Sequence, residues 1–145
     1  CQDREGRGFL EGRAQGDDVG RQREAAVAEV TRVYELPYPP SVNHYWRRVG
    51  WQTLISRAGR RYRRAVVALL TVMCARPMRG TLVVRVKVFP PDGRRRDLDN
   101  LQKALLDALE HGGAFADDFQ VAKLELERVE IVPGGKVIVA ITERT

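Results

Sequence analysis

The sequence predicts an α/β fold: a two-layer β-α-β-α-β-β domain in which a small mixed sheet is covered by two helices. Three observations predict it. Apolar residues alternate at period two from Thr81 to Phe89, and they recur at helical spacing before and after that stretch. Each of these elements has one apolar face, which has to be buried on another. At 145 residues the chain has room for one ordinary domain of about 100–150 residues, with a single core. Its 43% hydrophobic and 30% charged residues are those of a globular chain, and no apolar run nears the roughly 20 residues of a bilayer span, which excludes a membrane protein.

The first 30 residues hold five of the 13 glycines and show mixed charge, with no apolar periodicity before Val27. Residues 1–31 are therefore expected to be a flexible leader outside a domain spanning 32–145. Residues 32–36 form a short strand, ended by Pro37-Tyr38-Pro39-Pro40, where missing amide donors and a fixed φ stop further pairing. A loop of polar and aromatic residues follows from Ser41 to Arg48. Ser56 is placed to cap a helix with Tyr62, Val66, Leu69, Leu70 and Met73 on its apolar face, running until Pro77. Arg57, Arg60, Arg61 and Arg64 lie on the opposite face. Cys74 falls in this apolar stretch and reads as a small core residue.

From Thr81 to Phe89, Leu82, Val84, Val86 and Val88 share one face of a half-buried strand, which Pro90-Pro91-Asp92-Gly93 breaks. A second helix is expected over residues 98–110. Leu98, Leu101, Leu105, Ala108 and Leu109 face its core, and Gly112-Gly113 supplies the left-handed stop. Residues 121–132 and 136–142 read as strands joined by Pro133-Gly134-Gly135, a turn expected to make them an antiparallel hairpin. Two cysteines, Cys1 and Cys74, cannot build a disulfide framework, and no secretory signal is visible, so a reducing, cytoplasmic compartment is expected.

The net charge of +6 suggests a polyanionic partner, and its distribution is more informative than its sum. Residues 1–35 hold 8 acids and 6 bases. Residues 36–91 hold no acid against ten Arg and one Lys, and residues 97–145 hold 10 acids against 5 bases. The two halves meet at Arg94-Arg95-Arg96-Asp97-Leu98-Asp99. Asp97 and Asp99, where extended chain enters a helix, can turn both carboxylates toward one point. Lys103 lies one turn beyond Asp99, and Asp107 continues the stripe. Hard divalent cations take a few carboxylate oxygens and keep their other positions for water and phosphate, so this pair with a distant acid from Asp117-Asp118 is a sensible ligand set. Simpler roles stay open: a helix cap for Asp97 or Asp99, an ion pair of Lys103 with Asp99 or Asp107, and a loop turn for Asp117-Asp118. His44 reads as a hydrogen-bonding or stacking residue of the loop rather than as a ligand. Tyr45, Trp46 and Trp51 are candidates either for packing or for stacking on bases. No nucleophile elbow, catalytic-triad spacing, phosphate-binding Gly-x-x-x-x-Gly-Lys loop or Gly-x-Gly-x-x-Gly fingerprint is present, which removes acyl-transfer, nucleotide-driven and dinucleotide chemistry.

The run Arg95-Arg96-Asp97-Leu98-Asp99-Asn100-Leu101-Gln102-Lys103, with Asp107-Ala108-Leu109, Asp117-Asp118 and Gln120-Val121, resembles the RusA family of Holliday junction resolvases. Leu36-Pro37-Tyr38-Pro39-Pro40-Ser41, with Asn43 and Tyr45, is similar to that family's opening segment, and Gly134-Gly135 to its hairpin turn. The resemblance runs from about Val33 to Glu143. It implies a homodimeric Mg²⁺- or Mn²⁺-dependent endonuclease, bacterial or phage-encoded, that nicks opposed strands of four-way junction DNA in recombination and repair. It also implies that Asp97, Asp99 and Asp118 are the metal ligands and that Lys103 is the family's catalytic lysine. The loop containing His44, Tyr45, Trp46 and Trp51 departs from the family, as does the leader. Arg47, Arg48, Arg57, Arg60, Arg61, Arg64, Arg94, Arg95 and Arg96 are the expected DNA-backbone contacts. The competing readings are a basic DNA- or RNA-binding module without catalysis and a metal nuclease acting on flaps or single strands.

Overall fold

In the computed structural model, which describes residues 29–144, the two strands with the most buried residues take the interior of the sheet. Strands β1 (Glu29–Pro37), β4 (Thr81–Phe89), β5 (Val121–Arg128) and β6 (Lys136–Arg144) form one sheet in the order β1-β6-β4-β5. β6 is antiparallel to both β1 and β4, and β5 is parallel to β4. In-register rungs cross the sheet on its covered face. Tyr34, Val139, Val86 and Leu126 make one, and Ile141, Val84 and Leu124 make part of the next. Helices α2 (Arg57–Val72) and α3 (Asp99–His111) cover these rungs with Tyr62, Val66, Leu70, Leu101, Leu105 and Leu109. Each such side chain contributes about 1.5–3 kcal/mol of apolar burial. The expected two-layer mixed sheet under two helices is thus the fold found.

Several elements differ from expectation. β1 begins at Glu29 rather than at residue 32, because residues 29–31 continue the ladder opposite Thr142–Arg144; residues 1–28 lie outside the described residues. The expected loop after Ser41 is instead a single helical turn, α1 (Val42–Tyr45), followed by a separate antiparallel pair, β2 (Trp46–Val49) and β3 (Gln52–Ile55). Gly50, at φ +61°, opens its two-residue turn, as a primed hairpin turn requires. Ser56 caps α2 by accepting from the Gly59 amide at 3.0 Å, but the helix ends at Val72 instead of reaching Pro77. Its buried stripe is Gly59, Tyr62, Val66 and Leu70, so Leu69 lies at the margin of that stripe and is exposed. Met73, past the last turn, is also exposed, and Cys74, at φ +53°, is an exposed residue of the turn rather than part of the core.

The expected β5–β6 hairpin is absent. β5 ends at Arg128 and lies on the sheet edge, separated from β6 by β4. The physical reason is the crossover: α3 returns the chain to the starting end of β4, which leaves β5 parallel to it. Among the described residues no helix is long and apolar enough to cross a membrane.

Candidate active site and nucleic-acid interface

The segment after β4 is fixed by one acid. Asp92 accepts from the Arg94 amide at 2.9 Å and receives both Arg96 guanidinium nitrogens at 2.5 and 3.1 Å. These bonds hold its carboxyl down at about 2, with Arg96 the main cause. Arg96 also lies 5.9 Å from the centre of the Tyr38 ring, and its carbonyl accepts from Arg128. Arg96 therefore shapes the loop, while Arg94 and Arg95 are left exposed. On one side of this loop is a hollow of about 790 Å³, where Arg61, Arg94, Arg95 and Asp97 face Asn43 and Asn100. Tyr62 anchors its opposite wall by donating to the Pro37 carbonyl at 2.9 Å, and burial pushes its phenol well above the ordinary range.

Asp97 and Asp99 flank Leu98, the residue at the N-terminal cap position of α3, and the cap makes no side-chain hydrogen bond. Neither acid occupies the cap position itself, while Asp99 falls in the first turn, where its charge favours the helix dipole. Both are exposed, as is Lys103 one turn on from Asp99. Asp107 leaves the predicted stripe. It pairs with Arg63 at 2.7 Å and accepts from the buried Tyr45 hydroxyl, so Lys103 does not hold it. Burial alone would raise the Asp107 carboxyl, but the Tyr45 and Arg63 hydrogen bonds outweigh it and leave it below the usual carboxylate range. The Tyr45 phenol is pushed up to about 12, by burial first and then by its bond to Asp107.

The two neighbouring acids also separate. Asp117 caps the 3-10 turn Asp118–Gln120 by accepting from the Phe119 amide at 2.8 Å, while Gln120 accepts from the Asp117 amide at 2.9 Å. Asp118 is exposed and its side chain takes no part in this box.

Asp97 and Asp99 lie beyond the end of β4, whereas Asp118 lies before the start of β5, and β4 and β5 are parallel. The 13 residues of α3, about 20 Å at 1.5 Å per residue, separate the two ends. Among the described residues no three His, Cys, Asp or Glu side chains are close enough to hold one metal ion. The oxygen-donor chemistry of the three acids suits a hard divalent cation. Their spacing within one chain does not.

Arg57, Arg60, Arg61 and Arg64 are exposed on α2, and Arg47 and Arg48 are exposed on β2. Of the three candidate stacking aromatics, Tyr45 is fully buried and Trp46 packs edge-on against it at 5.0 Å. Trp51 is 99% exposed. His44, in the α1 turn rather than a loop, hydrogen-bonds Ser41 at 2.7 Å. Arg63 was hidden among the basic residues of α2. The available signal was its position one turn before Val66 and Val67, at the margin of the buried face.

Residues 37–142 match the family described as Endodeoxyribonuclease RusA. The chain belongs to the RusA endodeoxyribonuclease family. It is 43% identical over 111 residues to a crossover junction endodeoxyribonuclease of Enterobacteria phage HK97, covering 76% of this chain and 92% of that protein. It is 40% identical over 113 residues to the one from Escherichia coli K12, covering 74% and 91% respectively. The matched stretch contains every RusA-like acid discussed above, together with Lys103 and the basic face of α2.

Proposed function

We propose that this chain is a structure-selective endodeoxyribonuclease that resolves four-way (Holliday) DNA junctions by paired phosphodiester hydrolysis in DNA recombination and repair. The observation that carries the reading is its 43% identity across 92% of a crossover junction endodeoxyribonuclease. The acids left without structural work support it. Asp97, Asp99 and Asp118 are exposed and adjoin arginine-rich surface or the far end of α3, whereas Asp92, Asp107 and Asp117 hold the fold together.

Arg61, Arg94 and Arg95 bind backbone phosphates beside Asp97, with Arg47, Arg48, Arg57, Arg60 and Arg64 extending that contact; Arg96 acts by holding the loop. Such contacts position the junction without reading its bases. Lys103 steadies the scissile phosphate or the leaving oxygen. A four-way junction has two-fold symmetry, so paired cuts are most simply made by a two-fold homodimer. A homodimer also offers a way to meet the spacing of the acids, with Asp97 and Asp99 of one copy facing Asp118 of the other. When bound there, Mg²⁺ or Mn²⁺ supplies positive charge at the phosphate and lowers the pKa of a water molecule.

Incubation with a labelled four-way junction and with a matching linear duplex, each with Mg²⁺ and with EDTA, tests the reading. Symmetric nicks in the junction alone, and only with metal, are expected. Binding without cutting in both conditions would favour a passive binding module, and cutting of the linear duplex a different nuclease. Replacing Arg60 and Arg61 together by Ala should weaken junction binding. It should also flatten the slope of log affinity against log salt by about 1.8, as loss of two phosphate contacts requires. An unchanged slope would remove α2 from the DNA face.

A further inference from the structure

The hairpin β2–β3 stands apart from the rest of the sheet structure. It pairs only with itself, and between its ends Arg47, Arg48, Val49, Gln52, Thr53 and Leu54 are all exposed. An isolated two-stranded hairpin is marginal in water, so its conformation depends on its base. That base is firmly held. Tyr45, the residue before β2, is fully buried and bonds Asp107; the Ser56 amide donates to the Tyr45 carbonyl at 2.8 Å, and the Ser56 hydroxyl bonds the His44 carbonyl. α2 also approaches Tyr45 so closely that a Cβ on Gly59 would lie 2.7 Å from the Tyr45 carbonyl oxygen. A rigid mounting thus carries a bare arm. At the tip of the arm, beside Gly50, is Trp51, 99% exposed.

Charge and position identify what the arm meets. The register sets Arg47 and Arg48 on opposite faces of the hairpin, and residues 46–55 contain no acid. Its root adjoins the hollow that holds Arg61, Arg94, Arg95 and Asp97, because Asn43 and His44 of the preceding turn line that hollow. Four strand residues at about 3.3 Å each carry the tip roughly 13 Å from this root. Along a linear duplex the bases are stacked and offer no free face to such a tip, whereas the crossover of an opened four-way junction, the form it takes without divalent metal, exposes base faces.

Resting on the resolvase reading, we infer that Trp51 is a specificity-determining contact that stacks on a base at the junction crossover while Arg47 and Arg48 hold the flanking phosphates. Base–aromatic stacking is sequence-tolerant, so this contact reads the shape of the junction and not its sequence.

The test compares affinities for a synthetic four-way junction and for a linear duplex, measured in EDTA to prevent cutting. W51A should lower the junction-to-duplex affinity ratio about five-fold or more, the lower end of a lost stack. W51F should keep most of the ratio. In W46F, where Trp51 is the only tryptophan, the junction should quench its fluorescence more than duplex does. A wild-type preference for the junction that survives W51A unchanged overturns this inference and leaves the resolvase reading standing. A wild-type protein without preference for the junction overturns both. If W51A instead turns a dimer into a monomer in sedimentation, the tip is a contact between copies and the stacking role is wrong.

Discussion

Asp117 and Asp118 share one turn, yet Asp117 commits its carboxylate to a backbone amide while Asp118 is left exposed. The same contrast recurs elsewhere. On α3, Asp107 is tied to Arg63 and Tyr45 while Asp99 is exposed; around the preceding loop, Asp92 holds Arg96 while Asp97 opens into the hollow. An acid-rich stretch is therefore two interleaved sets, one that builds the scaffold and one that the scaffold presents. Proximity in sequence does not separate them. Their partners do.

Four substitutions sharpen that contrast. The largest effect is expected from Asp97→Asn or Asp118→Asn. Junction cleavage should fall by about a hundredfold or more, comparable to losing one charge-stabilising group, while thermal stability stays within roughly 0.5 kcal/mol. A gel cleavage assay beside a melting curve checks both, and normal cleavage by either variant would remove that acid from the proposed site.

Next is Asp107→Asn, which should cost about 1.5–3 kcal/mol in urea unfolding at pH 7, as expected for hydrogen bonds to a charged group. Because the folded Asp107 pKa lies below its unfolded value, its contribution is complete above the ordinary Asp pKa of about 3.9 and is lost as pH falls through the folded value. The stability gap between wild type and variant should therefore narrow below about pH 4. A gap that widens in acid would contradict the assigned shift. The smallest effect is expected from Asp117→Ala: about 1 kcal/mol or less from the lost cap, with cleavage retained. Loss of cleavage at unchanged stability would move Asp117 into the other set.

The covered face of the sheet and both main helices were legible because their signal is local: alternation in β4, and apolar spacing in α2 and α3. The partner of β5 was not. Pro133-Gly134-Gly135 shows that the chain turns but not what the next strand pairs with. Two physical clues pointed the other way. Lys136–Arg144 is apolar on both faces at its centre, as an interior strand is, and Val121–Arg128 carries Lys123, Glu125 and Glu127, as a strand at an edge does. β2–β3 escaped notice because it buries almost nothing and so has no apolar alternation to read. At the site, the residue types and their motif were legible. The division of the acids was not, since Arg63 and Asp107 are 44 residues apart and meet only when α2 packs on α3.

The central place of β6 has a consequence for biosynthesis. β1 and β4 never touch in the sheet, and each finds its antiparallel neighbour in the last of the four strands to leave the ribosome. Until Lys136–Arg144 has emerged, the earlier strands lack the partner that joins them, and such long-range pairing makes for slow completion. A nascent or truncated chain therefore cannot assemble the sheet that supports α3 and its acids, so any nuclease activity is withheld until translation has passed β6.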